Sequence, residues 1–188
     1  MLQKSALLSL LFTFSCLFTL AQEILSVLSA PEAWPSEHIP FPLIFAPDIA
    51  FNGFEDLRFT PGWSDSTRAN FWTYTFAWYI ENDSEITDDQ LAKTFDLYYD
   101  GLMGIAHRIK SDSVNVKWTK SIFEGNEGTI SVYDGFFTHR TMMLHVKVSG
   151  FFCNPEQMQL LRFEISPQPF EHEVWKMFKE VTLRLDCH

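Results

Sequence analysis

The spacing of apolar side chains changes along the chain, and each spacing predicts a different element. Residues 71–81, FWTYTFAWYIE, alternate: Trp72, Tyr74, Phe76, Trp78 and Ile80 fall on one face, with Thr73, Thr75, Ala77 and Tyr79 on the other. A period of two is that of a strand. From Leu91 the period lengthens, with Leu91, Phe95, Tyr98, Leu102 and Ala106 three or four apart, which lays one helical stripe on a sheet. Thr87-Asp88-Asp89-Gln90 stands before that stripe as a capping box, the Thr87 hydroxyl accepting from the Gln90 amide while Gln90 reaches back. The helix is predicted to run to about Ile109. Gly101 and Gly104 weaken it and predict close backbone contact near its end.

Alternation also marks the rest. Phe54–Thr60 predicts a short strand ending at the Pro61-Gly62 turn pair. Val114–Phe123 and Thr129–Phe137 flank a hairpin turn at Gly125-Asn126-Glu127-Gly128. Thr141–Phe152 turns Met142, Leu144, Val146 and Val148 inward, and Leu160–Ile165 adds another strand. Residues 170–185 then place Phe170, Val174, Phe178, Val181 and Leu185 on one face of a closing helix. The expected fold is α+β: an antiparallel β-sheet of about five to seven strands with two main helices packed on it.

The N-terminal segment follows different rules. Lys4, the uncharged stretch from Ala6 to Leu20, and Thr19-Leu20-Ala21 predict a cleaved secretory signal over residues 1–21. Its apolar run of about 15 residues is shorter than the roughly 20 of a spanning helix. The expected product is therefore periplasmic or secreted, with no stable membrane insertion after cleavage. Cys16 lies inside this signal, and the apolar Leu17-Phe18 after it argues against a lipid anchor there. Residues 22–50 carry Pro31, Pro35, Pro40, Pro42 and Pro47, which oppose helix and central strand alike. Trp34, Phe41, Ile44 and Phe45 make this segment an extended arm lying across the domain rather than a disordered linker. Residues 51–188 are expected to form the single α+β domain.

Charge narrows the partners. A net charge of −10 argues against nucleic acid and anionic lipid, which need a basic surface. Cys153 and Cys187, in an oxidising compartment, predict one disulfide. Closing a loop of about 35 residues, it would add roughly 3–4 kcal/mol and pin the last helix to the sheet edge.

Common catalytic signatures are missing: no G-x-S-x-G elbow, H-E-x-x-H, P-loop or EF-hand loop occurs. Neighbours in Glu171-His172-Glu173 would point about 100° apart on a helix, and neither metal nor cofactor is expected. Two surfaces remain. One gathers Glu55, Asp56, Arg58, Trp63, Asp65 and Arg68, with Tyr98, Tyr99 and Asp100 as possible neighbours; its bland account is a solvated loop whose ion pairs are worth under about 1 kcal/mol each. The other is the face of Trp72, Tyr74, Phe76 and Trp78, either plain core or the wall of a cavity. The leading expectation is a non-catalytic exported domain binding a small molecule or a protein partner. An exported hydrolase using the carboxylates Glu55, Asp56 and Asp65 is the alternative. An envelope interaction or assembly protein docking through the Pro-rich arm is a third.

Overall fold

The computed structural model describes residues 25–108, 119–153 and 156–185. The expected signal, the strand residues Val114, Val116 and Trp118, and Cys187 lie outside the described residues. The described chain runs through β1 (Leu28–Ser29), β2 (Ser36–Pro40), β3 (Gly53–Phe59), β4 (Tyr74–Glu81), helix α1 (Asp88–Arg108), β5 (Lys120–Glu124), β6 (Glu127–Tyr133), β7 (Thr141–Cys153) and β8 (Met158–Ser166), then a 3-10 helix (Glu173–Glu180) and β9 (Thr182–Leu183). It is α+β, as the periodicities predict.

Seven strands form one antiparallel sheet in the order β2-β3-β4-β8-β7-β6-β5, and β1 pairs with β9 in a separate two-stranded sheet. The first three strands form a meander, α1 carries the chain to the opposite edge, and β5 to β8 return to lie beside β4. The alternation of residues 74–80 decides what each face buries. Tyr74, Phe76, Trp78 and Ile80 join Leu57, Phe163, Ile165, Leu144 and Val146 under Leu91, Phe95, Tyr98, Tyr99 and Met103 of α1. Ala77 and Leu160 face the other way, under Val27, Leu28, Trp34, Val174, Trp175 and Phe178. The sheet is thus covered on both sides.

The capping box forms. Thr87 N donates to Gln90 Oε1 at 2.9 Å and Gln90 N to Thr87 Oγ1 at 3.3 Å. The helix is tied to the β5 edge by its own acids, Asp96 accepting from Ser121 N at 2.7 Å and Asp88 from Gly125 N at 2.9 Å. Gly101 meets the predicted close approach: a Cβ there would lie 2.1 Å from the Phe45 carbonyl oxygen. The arm therefore seats directly on α1.

Three expectations need correction. Residues 71–73 precede the sheet rather than start the strand, because Trp72 adopts φ +52°, outside the extended region. The turn between β5 and β6 is only Gly125-Asn126, since Glu124 already pairs with Glu127. The closing α-helix over 170–185 is instead the short 3-10 helix followed by β9. Its buried Trp175, Phe178 and Val181 recur every three residues, the period of a 3-10 turn rather than 3.6. Pairing of Thr182 with Ser29 then draws the chain into a strand. Arg162 closes that end, donating to the carbonyls of Phe178 at 2.8 Å and Val181 at 3.0 Å.

Candidate functional site

Between the β2–β3–β4 end of the sheet and α1 the core is not filled. A cavity of about 290 Å³ is lined by Glu37, Ile39, Phe45, Leu57, Phe59, Trp63, Trp72, Tyr74, Tyr98, Leu102, Phe136 and Phe137. Eight of these twelve are aromatic, and Glu37 is the one non-aromatic ionisable group among them.

Each wall has a local cause. Trp72 and Trp63 come from the ends of one irregular loop closed by the Trp72 N to Trp63 O bond at 2.7 Å. The left-handed backbone at Trp72 is uncommon for a bulky residue and costs on the order of 1–3 kcal/mol. It holds an indole against Tyr74, ring centroids 6.1 Å apart. Phe45 reaches Tyr98 edge-on at 5.0 Å because Gly101 admits the arm. Phe136 and Phe137 stand on a loop after β6 organised by the fully buried Asp134. That carboxylate accepts from the backbone of Phe136, Phe137 and Thr138 and from the Thr138 hydroxyl. The two rings nevertheless remain 39% and 38% exposed at the rim.

One donor in this wall is unspent. Trp72 is 2% exposed, yet its Nε1–H has no hydrogen-bond partner among the described residues. Leaving such a group buried and unpaired costs about 1–3 kcal/mol.

Beside the cavity, Glu55 is fully buried. Trp78 Nε1 donates to its Oε2 at 2.7 Å and the Tyr98 hydroxyl to its Oε1 at 3.1 Å. Burial pushes its carboxyl up to about 8, against the two hydrogen bonds and with help from the charge of Glu37. It is thus protonated at neutral pH. Burial likewise pushes the Tyr74, Tyr98 and Tyr99 phenols above their ordinary range, and Tyr74 and Tyr99 hydrogen-bond each other.

The structure separates the residues that the sequence groups together. Glu55 and Asp56 are neighbours on a strand and so face opposite sides of the sheet. Asp56 accepts from Val27 N, Leu28 N and Ser26 Oγ and pairs with Arg58, which also reaches the Leu28 carbonyl. Together they fasten the N-terminal segment to the sheet. Asp65 is a loop acid bonded to Thr67 and Arg68; the Thr67 hydroxyl is the main cause of its lowered carboxyl pKa. Of that cluster Trp63 lines the cavity, as does Tyr98 among its expected neighbours. The aromatic face divides as well. Trp72 and Tyr74 line the space, whereas Phe76 and Trp78 are solid core, Phe76 stacked on Tyr98 at 5.7 Å and Trp78 edge-on to Phe163 at 4.8 Å.

Glu37, Phe45, Leu102, Phe136 and Phe137 are lining residues that sequence reasoning did not single out for a site. Asp134-Gly135 is a turn pair, and reading it as one would have moved both phenylalanines out of the strand. Among the described residues, no group of three or more His, Cys, Asp or Glu is placed to hold a metal ion. No helix among them is long and apolar enough to cross a membrane. Comparison with protein-family models, curated proteins and solved structures returns no match for this chain.

Proposed function

We propose that this protein is an exported, non-catalytic binder of a small, largely apolar molecule, held in the aromatic cavity between β2–β4 and α1. The observation that carries the reading is the open volume walled by eight aromatic side chains. Such a wall suits a ligand with an apolar body. The volume, about 290 Å³, sits at the low end of ordinary ligand sites, about 300–1,000 Å³. The strained backbone that positions Trp72 supports the same reading, since such conformations concentrate at ligand sites.

The hydrolase alternative needs two carboxylates facing one another across a substrate. Glu55, Asp56 and Asp65 occupy a sealed core, a strand-fastening site and an exposed loop, which favours binding over hydrolysis. Export rests on residues 1–21, and the Cys153–Cys187 disulfide accompanies it. Cys153 is buried two residues beyond Phe151, which packs in the same cluster as Leu185. This neighbourhood supports the pairing.

Native mass spectrometry of the protein purified from its own host tests the binding reading. The wild type is expected to carry a small molecule that is lost in Leu57→Trp, which fills the cavity. A bare mass for the wild type, with no small molecule retained under gentle conditions, contradicts it.

A further inference from the structure

Building on the cavity reading, we infer that the ligand is a small organic cation, a quaternary or fully substituted ammonium. Eight of the twelve side chains that line the cavity are aromatic, and Phe59, Trp63, Tyr74 and Phe137 pack on one another within that wall. An alkylated ammonium is the cation that an aromatic wall attracts.

Charge points the same way. Glu37 is the acid of the lining and stands solvent-exposed at the cavity edge. No Lys, Arg or His accompanies it among the described lining residues. Its field reaches inward, since it contributes to the shifts of both Glu55 and Tyr98. An anionic ligand would meet that field with no compensating cation, whereas a cation would be drawn by it. A strongly hydrated primary ammonium would lose more water than apolar rings return; alkyl substituents on nitrogen remove that difficulty.

Three isosteric probes separate charge from shape: choline, its uncharged carbon analogue 3,3-dimethylbutan-1-ol, and the anion 3,3-dimethylbutanoate. Isothermal titration calorimetry is expected to show choline binding about tenfold tighter than the alcohol, matching one favourable ring–cation set of about 1.4 kcal/mol. The anion should not bind. Glu37→Gln, an exposed substitution that leaves the core intact, should weaken choline several-fold and leave the alcohol unchanged. Equal or tighter binding of the alcohol, with no effect of Glu37→Gln on choline, overturns the cation inference while the cavity reading stands. Failure of all three probes to bind overturns the cation inference, and a small molecule retained by the wild type but not by Leu57→Trp would show that the cavity reading survives it.

Discussion

Trp78 Nε1 donates to Glu55 Oε2 at 2.7 Å across the paired strands β3 and β4, and both side chains are sealed from solvent. A carboxyl so placed keeps its proton up to about 8 in the native state, against 4.5 for the ordinary group. As pH rises through 4.5 the unfolded chain releases a proton that the native chain retains. Stability from this group is therefore complete at acidic pH and is lost progressively until the native carboxyl ionises. The expected slope between about pH 5 and 8 approaches −1.4 kcal/mol per pH unit. Urea unfolding across that range measures it, and Glu55→Gln should flatten the curve. An unchanged slope in the variant would assign the effect to other groups.

Asp56 and Arg58 fasten the N-terminal segment. Asp56→Ala leaves the partly buried Arg58 without its carboxylate partner and frees the Val27 and Leu28 amides. A loss of roughly 3–5 kcal/mol is expected from breaking such a pair. Hydrogen exchange should accelerate first at Val27 and Leu28, with β4 and β8 retaining protection. Uniform exchange across the sheet would mean that the pair is not a local fastening.

Gly101→Ala pits two effects against each other. Helix propensity favours alanine by up to about 1 kcal/mol, but the new methyl would stand 2.1 Å from the Phe45 carbonyl. Backbone does not yield cheaply, so overpacking of about 1–3 kcal/mol outweighs the gain. A lower melting temperature is expected; a higher one would show that the arm moves freely off α1.

The proposed export and crosslink make a further prediction. Mass spectrometry of the native product should find a chain beginning at Gln22, with Cys153 and Cys187 linked. An intact Met1 and two free thiols would contradict both.

Much of the frame is legible where local chemistry sets it. The Thr87–Gln90 box and the alternation of Tyr74 to Ile80 depend on residues near in sequence, and each forms; the glycine at 101 marks a close approach, but its partner, the Phe45 carbonyl, is distant in sequence. The candidate site is less legible. Glu55, Asp56 and Arg58 look like one cluster because they are adjacent, but a strand sends Glu55 to the core and the other two to the opposite face. The cavity wall combines Glu37, Phe45, Trp63, Trp72, Leu102 and Phe137, which only the tertiary fold brings together. The closing segment reads as a helix because Phe170, Val174 and Phe178 stand four apart, while Trp175, Phe178 and Val181 satisfy the three-residue spacing that the chain adopts.

The most direct measurement follows the Trp72 indole N–H in ¹H–¹⁵N spectra, assigned with Trp72→Phe, as choline and 3,3-dimethylbutan-1-ol are added in turn. The account predicts that the Trp72 signal moves with at least one of them. The Trp175 indole, already donating to the carbonyls of Gln168 and Pro169, should stay in place. A Trp72 signal that neither compound moves, or a shift confined to Trp175, would contradict the claim that this cavity takes a compound of that size and shape, charged or neutral.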